Sequence, residues 1–448
     1  MKILILFAFV LAFGAVGFGQ TDKELIDTLR ERVVGKTNQS IVVALVDAKG
    51  VRFISDGKTA DTATAKNSDE STVFEIGSIT KVFTGTLLAE AVRRGEVRLD
   101  DPISKFLPKT VKTPVRNNQE ITLLDLATQS SGLPSLPANF APQDAKNPYL
   151  DYTVAQMYDF LSNYHLTRDI GAKYEYSNLG MGLLGHILSL RAKKSYEDLV
   201  KERILNPLGM NDTSIALSPS LRARMAQGYD ENGEPASNWD LPTLAGAGAL
   251  RSTAKDMAKF IQANINSSNS DLTADFSEAT QPRRAAGSGM QIGLAWHILT
   301  SPENTVIWHN GGTGGFRSFA GFNRAQKKGI VVLTNTSESV DDIGLYFLNT
   351  RTPLKKIKPF IAVSEKNLDD YLGIYELAPN VVFTITRTGD KLFAQLTNQE
   401  KLRVFAESEN RFYYKPVKAA LTFNRGAGGK VESLTLSQNG EHLARKIK

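Results

Sequence analysis

Hydrophobic and polar positions follow two different periods along the chain. The segment DKELIDTLRERVVG, which starts at Asp22, has apolar residues at helical spacing and predicts a helix. The segment SIVVALVDAKGVRFISDG, which starts at Ser40, predicts two strands around a turn at Ala48–Gly50. Near residue 300 three more strand-like runs follow, NTVIWHN, FRSFAGFNR and KGIVVLTN, and SVDDIGLYFLNTR then predicts another helix.

A long helical and loop-rich stretch, about residues 75–265, separates these two β regions. Strands from both ends of such a segment can share one sheet while the helical stretch is inserted between them. We therefore expect an α+β fold, in which an antiparallel sheet built from both chain ends carries a helical insert.

Residues 369–448 have a pattern of their own, after a Lys- and Pro-rich segment at 352–368 that we interpret as a linker. VVFTITRTGDKLFAQLT predicts a hairpin with Gly389-Asp390 at its turn, and Asn439-Gly440 predicts another hairpin. Roughly eight short strands in this segment predict a small barrel or sandwich. The predicted units are therefore residues 20–351, the linker, and residues 369–448.

The first residues, MKILILFAFVLAFGAVGFGQ, combine one lysine, an apolar run and the small residues Gly17 and Gly19. This combination is typical of a secretory signal peptide, here residues 1–19, cleaved after Gly19 or Gln20. An N-terminal membrane anchor is the alternative, although the run Ile3–Gly19 has only marginal length for a span. We expect a periplasmic or secreted protein that has no membrane contact after cleavage.

Composition narrows the class of protein. The chain has 448 residues, 42% of them hydrophobic and 22% charged, which indicates a soluble globular protein long enough for two domains. It has no cysteine, so disulfides, thiol catalysis and lipoprotein acylation are excluded. The net charge of +6 is spread without a basic run, which argues against a nucleic-acid partner.

The spacing Ser-x-x-Lys, a candidate nucleophile and base, occurs three times. The three pairs are Ser55 with Lys58, Ser78 with Lys81, and Ser252 with Lys255. Ser55 lies in a predicted turn, and Ser252 is well placed as the N-cap of a helix. Ser78 differs, because the long apolar-periodic segment ITKVFTGTLLAEAVRRG follows it and predicts a helix.

Two interpretations of Ser78 are equally supported by the spacing. In the functional one, Ser78 and Lys81 lie one turn apart on the same helix face, where the positive end of the helix dipole favours an alkoxide. Burial of Lys81 would lower its pKa toward the range of a useful base. In the structural one, Ser78 only caps the helix and Lys81 is a surface residue.

A second motif favours the catalytic interpretation. Tyr176-Ser177-Asn178 is the only Tyr-x-Asn in the chain. A tyrosine beside a lysine ammonium can be stabilised as a phenolate and accept a serine proton. An asparagine can orient the lysine and hydrogen-bond a substrate amide. The alternative is a tyrosine that packs in a loop before a helix.

The third motif is VIWHNGGTGGFRSFAGF, in which His309 ends a predicted strand. Gly311 and Gly312 allow a substrate to approach the backbone closely. The N–H groups of Gly312 and Ser78 could form an oxyanion hole. The alternative is a glycine-rich hairpin with a surface histidine.

We expect no metal and no cofactor. The other four histidines are scattered without ligand spacing. The glycines from Gly180 to Gly185 fit a dinucleotide fingerprint by letter, but no apolar strand precedes them, so helix packing explains them better.

The order of the three motifs resembles the penicillin-recognising serine hydrolases. The chain is most similar to their class C β-lactamase-related branch, which includes D,D-carboxypeptidases, D-aminopeptidases and β-lactamase-fold esterases. ITLLDLATQSSGLP and STAKDMAKF resemble connecting segments of that family, so the resemblance runs from about residue 25 to 350. It implies a β-lactamase-like sandwich for residues 20–351. Residues 369–448 resemble the small β-domain appended to many such hydrolases.

The resemblance also implies a role for each matched residue. Ser78 would be the nucleophile that accepts the acyl group, and Lys81 and Tyr176 would share the proton transfers. Asn178 would hold Lys81 and the substrate amide. Gly311–Gly312 would lie beside the substrate and its oxyanion.

His309 departs from the family pattern, because the β-lactamases usually have lysine at this position. A lysine helps to clamp the substrate carboxylate, whereas a histidine is mostly neutral at pH 7. We therefore expect weak β-lactamase and carboxypeptidase activity and favour peptide or ester substrates. Arg317 is another source of positive charge, although a solvated hairpin arginine is the simpler interpretation.

The leading hypothesis is an exported serine hydrolase that forms an acyl-enzyme on Ser78 with small-molecule or peptide substrates, at peptide, amide or ester bonds. A penicillin-binding D,D-peptidase or β-lactamase is the alternative within the same class. A catalytically silent protein that binds peptidoglycan fragments or peptides is the alternative of another class. The trio of Ser78, Lys81 and Tyr176 favours an enzyme, because a pure binder does not need it. The oligomeric state stays open.

Overall fold

The computed structural model describes residues 20–266, 271–301, 304–348, 351–357, 361–415 and 417–448. The predicted signal peptide lies outside these residues. The α-helices within them are α1 Gln20–Val34, α2 Thr80–Arg93, α3 Leu123–Ala127, α4 Val154–Asn163, α5 Asn178–Ala192, α6 Tyr196–Val200, α7 Asn206–Leu208, α8 Pro219–Arg222, α9 Ala245–Gly248, α10 Ala254–Ile265, α11 Asp271–Ala279, α12 Asp341–Leu348 and α13 Glu365–Tyr371.

An eight-stranded antiparallel sheet has the strand order β2-β1-β12-β11-β10-β9-β8-β7. Its strands are β1 Ser40–Asp47, β2 Gly50–Gly57, β7 Arg284–Gly287, β8 Met290–Ile292, β9 His297–Ser301, β10 Asn304–Gly312, β11 Arg317–Asn323 and β12 Lys328–Thr334. Four short strands lie in the insert or beside it and form two pairs: β3 Val73–Glu75 with β6 Arg251–Thr253, and β4 Val115–Arg116 with β5 Gln119–Glu120. Because β1 pairs with β12, the predicted α+β fold with a sheet from both chain ends is confirmed.

Both faces of the sheet are covered, which explains why β1 is apolar along its whole length. Successive side chains of a strand point to opposite faces. One set of β1 residues packs in a core with α1 and α12, and the other set packs in the core of the helical insert. The first set is Ile41, Val43 and Leu45, and the second is Val42, Ala44 and Val46.

The helical insert packs closely because α5 carries glycines at its contact with α9. A Cβ atom at Gly182 would lie 2.5 Å from the Leu244 side chain, and one at Gly185 would lie 2.8 Å from the Gly246 Cα. A larger residue would therefore separate the two helices. The prediction that these glycines serve helix packing is confirmed.

The last eighty or so residues form a closed eight-stranded barrel, as the strand count predicted. Its strands are β13 Gly373–Ala378, β14 Val381–Thr388, β15 Lys391–Leu396, β16 Leu402–Ala406, β17 Arg411–Tyr414, β18 Ala420–Arg425, β19 Val431–Ser437 and β20 Glu441–Lys446. Gly389-Asp390 joins β14 to β15, and the turn with Asn439-Gly440 joins β19 to β20, so both predicted hairpins are confirmed. Asn439 and Gly440 have φ values of 51° and 129°, the positive region that such turns require.

The predicted linker 352–368 contains the start of a helix. Ser364 accepts a hydrogen bond from the Asn367 N–H and caps α13. The Lys and Pro content of the segment indicated a linker, so this helix cap was not predicted. The division into residues 20–351 and 369–448 stays a prediction.

Two of the Ser-x-x-Lys pairs have a different setting from the predicted one. Ser55 lies within β2, not in a turn, because it pairs with Val42 of β1. Ser252 lies in β6, and Thr253, one residue later, caps α10 by accepting from the Asp256 N–H. The prediction of Ser252 as the cap was therefore wrong by one residue.

Among the residues that the structure describes, no helix has the length and apolarity of a membrane span.

Candidate active site

Ser78 lies in a 3₁₀ turn, Gly77–Ile79, that leads directly into α2. It therefore precedes the helix in which the sequence placed it. Gly77 has a φ of +50°, and a Cβ atom on it would lie 2.7 Å from the Gly312 backbone nitrogen. A glycine is required there because the end of β10 approaches the turn so closely. This approach brings the Gly312 N–H beside Ser78.

Lys81 is fully buried one turn after Ser78 and makes three polar contacts. Its Nζ lies 3.0 Å from Ser78 Oγ, 2.7 Å from Asn178 Oδ1 and 2.7 Å from the Ala247 carbonyl oxygen. The two oxygens of Asn178 and Ala247 only accept hydrogen bonds. A neutral amine has two N–H donors for them, which leaves its lone pair for the Ser78 hydroxyl proton. The contacts therefore orient Lys81 as a base toward Ser78.

Burial lowers the pKa of Lys81 well below its ordinary value. No carboxylate stands among its polar contacts to offset the cost of a buried ammonium. The alternative of a surface lysine is therefore wrong, and burial favours the neutral form of the amine, which can accept a proton.

The chain places Tyr176 and Asn178 at the start of α5. Ser177 between them caps the helix by accepting a hydrogen bond from the Gly180 N–H. The Lys81 Nζ atom lies 4.7 Å from the centre of the Tyr176 ring. Asn178 bonds Lys81 through Oδ1, and its Nδ2 donates to the Tyr149 hydroxyl at 3.4 Å.

Burial raises the pKa of the Tyr176 phenol, and the neighbouring Ser78 side chain opposes that rise. The expected phenolate is therefore not the resting form. The reason is that a phenolate buried at this position would lose its hydration, and this cost exceeds the effect of the Ser78 hydrogen bond. A neutral phenol beside Ser78 is a proton donor and relay.

His309 is buried on β10, and its ring lies 6.3 Å from the Tyr176 ring. Its Nδ1 lies 2.5 Å from the Asn310 carbonyl oxygen, which can only accept, so Nδ1 carries the proton. Burial, and then the neighbours His297 and Lys81, lower the pKa of His309 well below its ordinary value. The imidazole is neutral at pH 7, so it cannot form an ion pair with a substrate carboxylate.

Sequence reasoning missed two residues that support His309. His297 of β9 stacks on it with ring centres 4.9 Å apart, and the Tyr174 hydroxyl lies 3.0 Å from His297 Nε2. Burial, together with Lys81, lowers the pKa of His297 to about 4. Tyr174 stands two residues before Tyr176 in KYEYSN, which was an available signal, whereas only the pairing of β9 with β10 brings His297 here.

The glycines of β10 make room for the nucleophile turn. A Cβ atom on Gly311 would collide with the Ile76 carbonyl oxygen and Ser318 Oγ. Ser318 Oγ also donates a hydrogen bond to the Ile76 oxygen at 2.8 Å. The sheet therefore meets the Ser78 turn through backbone atoms, with the Ser78 and Gly312 N–H groups available for an oxyanion.

Arg317 is neither solvated nor directed at the nucleophile. Ser318 faces the Ser78 turn, so its neighbour Arg317 points to the opposite face of the sheet. The half-buried guanidinium donates to the carbonyl oxygens of Thr313 and Phe316, at 2.8 and 3.0 Å. The interpretation as a solvated arginine was wrong, because the loop after Gly312 folds over the guanidinium.

The cleft has an aromatic wall beside Asn178. Tyr149 lies 5.3 Å from Trp239 and 5.1 Å from Phe140, measured between ring centres. A Cβ atom on Gly314 would lie 2.9 Å from the Trp239 indole nitrogen. Trp239 therefore extends from Tyr149, which contacts Asn178, to the loop after Gly312.

The structure thus brings all seven predicted residues to one place. A serine contacts a buried lysine, a phenol lies beside both, and the Gly312 backbone lies against the turn that carries the serine. This arrangement can perform acyl transfer to a serine hydroxyl. Among the described residues we find no group of three or more side chains that could hold a metal ion.

Two family models match the chain. The β-lactamase family model matches residues 25–349, and a model described as a domain of unknown function (DUF3471) matches residues 358–446.

Among characterised relatives, the chain is 30% identical to the D-alanyl-D-alanine-carboxypeptidase/endopeptidase AmpH of Escherichia coli K12 over 341 residues, which cover 72% of this chain and 82% of that one. It is 26% identical to a β-lactamase of Pseudomonas fluorescens over 300 residues, 59% of this chain and 80% of that one.

Solved structures share the fold. A class C β-lactamase gives a TM-score of 0.65 at 24% identity, over 75% of this chain and 97% of that one. A β-lactamase/D-alanine carboxypeptidase from Pseudomonas syringae gives 0.65 at 22% identity, over 74% and 99%.

Proposed function

Because the chain belongs to the β-lactamase family of serine hydrolases, we propose that it cleaves peptide, amide or ester bonds through an acyl-enzyme on Ser78. The observation that carries this proposal is the set of contacts around Lys81. Two acceptors occupy the N–H groups of the neutral amine, and its lone pair meets the Ser78 hydroxyl 3.0 Å away.

The proposed reaction has two steps. Ser78 Oγ attacks the substrate carbonyl carbon while its proton moves to Lys81 Nζ, and the oxyanion binds the N–H groups of Ser78 and Gly312. The proton passes through Tyr176 to the leaving nitrogen or oxygen, and the bond to the leaving group breaks. A water molecule then attacks the acyl-enzyme, which releases a carboxylic acid and restores the Ser78 hydroxyl.

The substrates that we propose carry no obligatory carboxylate beside the scissile bond. His309 is neutral, and Arg317 points away from the Ser78 turn, so neither supplies a charge clamp there. Internal peptide bonds, amides and esters fit this site better than penicillins or the C-terminal bond of a peptide. The relative named a carboxypeptidase/endopeptidase supports the peptide class. A true D,D-carboxypeptidase or β-lactamase is the second candidate, because relatives of both names are similar over most of their length.

We also propose that the protein is exported. The support is the sequence of residues 1–19, in which one lysine, an apolar run and small residues follow one another. Comparing the mass of the mature protein from its native host with that of the full chain tests this point. A mature protein that begins at Met1 would contradict it.

The first experiment is labelling with a fluorophosphonate, followed by intact mass, in wild type and Ser78→Ala. We expect one adduct in wild type and none in Ser78→Ala, with unchanged thermal unfolding. An unlabelled wild type would support the silent binding protein instead.

The same mass experiment with benzylpenicillin separates the candidates within the class. A long-lived adduct on Ser78 indicates a penicillin-binding peptidase, and consumption without a lasting adduct indicates a β-lactamase. Neither adduct nor consumption supports the peptide or ester substrates proposed here.

A further inference from the structure

A second cavity, of about 220 Å³, lies between the barrel and the catalytic unit. The start of β11 and the loop at residues 229–233 line it on one side, and barrel residues near β15, β16 and β17 line it on the other. Arg317 contributes to its wall from the sheet face opposite to the Ser78 turn. The proposed hydrolysis does not use this cavity.

Three cations line the cavity without a carboxylate partner. They are Arg317, Arg403 and Lys415, and within the described part of the chain none of them forms an ion pair. Arg403 is only 7% exposed, and its Nε is buried without a hydrogen-bond partner. The other two cations of the wall are paired, Lys391 with Glu234 and Lys36 with Asp390.

The acidic residues of the wall act on these three cations from a distance, but within the described part of the chain none forms an ion pair with them. Glu338 pairs with Lys355, and Asp390 pairs with Lys36. Asp230 accepts hydrogen bonds from the backbone N–H groups of its own loop. The remaining two, Asp61 and Glu231, are exposed at the rim and therefore hydrated. The unpaired positive charge thus lies inside, and the unpaired negative charge lies in water.

Arg403 and Lys415 lie over the Phe405 ring, at 4.7 and 4.3 Å from its centre, which offsets part of the cost of burying them. A charge-assisted hydrogen bond to an anion would offset more of that cost. Burial lowers the pKa of Lys415 to about 8, with Glu338 opposing and Arg403 adding to the effect, and it also lowers the pKa of Arg317 and of Arg403.

We propose that this cavity binds a small oxyanion, a phosphate or carboxylate group, between Arg317, Arg403 and Lys415. Each guanidinium has a donor to spare: Arg403 Nη1 contacts the Asn232 carbonyl at 3.3 Å and Arg317 Nη1 contacts two carbonyls, so Nη2 of both can serve the anion. The Lys415 ammonium donates to the Lys36 carbonyl at 3.0 Å and has two further N–H donors. The volume admits a phosphate or a short carboxylate but is smaller than the pockets that hold drug-sized ligands.

The position of Arg317 connects this site with the catalytic one. Its guanidinium braces the loop that begins directly after Gly312, whose N–H is a proposed oxyanion donor. A bound anion that draws Arg317 toward itself would alter this brace. Anion occupancy is therefore expected to change turnover without any contact with Ser78.

Isothermal titration calorimetry of the full chain tests the site, with inorganic phosphate and with acetate at constant ionic strength. We expect saturable binding of at least one anion, weakened about tenfold or more in Arg403→Gln and in Lys415→Gln. Tighter binding of phosphate assigns the ligand to the phosphates, and tighter binding of acetate assigns it to the carboxylates. The matched control is Lys391→Gln, which lines the same cavity but is already paired, and its Kd should change by less than about twofold.

Thermal unfolding of each variant shows whether it folds. If Arg403→Gln does not fold, Arg403→Lys, which keeps the charge, replaces it. The proposal is overturned if neither anion binds to wild type saturably. It is also overturned if the Lys391→Gln control weakens binding as much as the Arg403 and Lys415 variants do. Because the readout is binding, the result is independent of whether Ser78 hydrolyses the proposed substrates.

Discussion

At the scale of single residues, burial disfavours the charged forms of three ionisable side chains in the site. Lys81, Tyr176 and His309 are ionisable, yet burial favours the neutral form of each. A neutral amine can accept the Ser78 proton, and a neutral phenol can pass it on. The same burial deprives His309 of the charge that would hold a substrate carboxylate. Neutral side chains therefore explain both the proposed base and the proposed substrate preference.

The proposed role of Lys81 predicts an acidic limb in the pH profile. The pKa of Lys81 is lowered, and the amine loses its lone pair when the pH falls through that lowered value. Hence kcat/KM with a neutral ester should fall toward low pH with a slope of about one log unit per pH unit.

Lys81→Arg keeps a cation that cannot deprotonate, so it should lose about 10²- to 10⁴-fold of kcat/KM at every pH. Lys81→Met, which has neither charge nor lone pair, is the control. Recovery of Lys81→Arg at high pH would contradict the assignment of Lys81 as the base.

His309→Lys tests the substrate preference. A lysine at this position would add a donor and, once protonated, a charge for the substrate carboxylate. We expect acylation by benzylpenicillin to rise about tenfold, which corresponds to one charge-assisted contact.

The measurement is the rate at which benzylpenicillin forms an adduct on Ser78, followed by intact mass. A neutral ester is the control substrate, and its rate of hydrolysis should not rise in His309→Lys. Unchanged penicillin acylation in His309→Lys would show that the neutral His309 does not limit recognition of carboxylates.

At the scale of elements, α5 and α9 hold the base in place. α5 supplies Asn178 at its first residue, and α9 supplies the Ala247 carbonyl, and both accept from Lys81. The glycines of α5 set the distance between these helices, since Gly185 faces the Gly246 Cα directly. The glycine pattern of α5, which resembles a dinucleotide fingerprint, thus allows the Asn178 and Ala247 oxygens to lie beside the Lys81 amine.

Gly185→Ala should push α9 away from α5. Its Cβ atom would lie 2.8 Å from Gly246 Cα, a backbone atom that cannot rotate away. We expect a loss of about 1–3 kcal/mol in the free energy of unfolding and a lower rate of Ser78 labelling.

The matched control is Gly180→Ala on the same helix. Its Cβ atom would meet the Ser177 side chain at 3.3 Å and Leu126 at 3.7 Å, and alanine favours a helix by up to about 1 kcal/mol over glycine. Urea unfolding of both variants measures the difference. Equal effects of the two substitutions would show that close packing of α5 on α9 is not what places Ala247.

At the scale of the whole molecule, the chain has separate cores. The two cores around the large sheet include residues from 25 to 348, and the barrel core includes residues from 368 to 444. Polar contacts join the two units, and the buried Phe405 and Tyr413 lie outside the barrel core and line cavities shared with the first unit. The polar contacts include the Lys391–Glu234 ion pair at 3.0 Å and the bond from the Arg403 N–H to Asn232 Oδ1 at 3.0 Å.

Removal of residues 358–448 should therefore leave the catalytic unit folded. The lost ion pair and hydrogen bonds each contribute about 1 kcal/mol or less, because they are partly exposed. We expect cooperative thermal unfolding and fluorophosphonate labelling of Ser78 in the shortened chain, and loss of anion binding in the cavity.

Lys391→Met in the full chain, which removes only the ion pair, serves as the comparison. A shortened chain that aggregates or unfolds without cooperativity would show that the barrel is needed for the fold.

The sequence by itself determined the two kinds of periodicity, and with them the sheet from both chain ends and the eight-stranded barrel. It also supplied the three motifs, because Ser78 with Lys81 and Tyr176 with Asn178 are close along the chain and local spacing sets their relative position. Hairpins such as the one at Asn439-Gly440 were predictable for the same reason, since a positive φ is a local requirement.

Only the tertiary structure decided what depends on distant segments meeting. The stacking of His297 on His309 follows from strand order, and the direction of Arg317 follows from which face of the sheet the Ser78 turn covers. The lowered pKa of Lys81 could not be predicted until its burial was known, because desolvation sums the contributions of the whole surrounding fold. The cavity between the units is likewise absent from any local pattern, since its three unpaired cations come from two separate units.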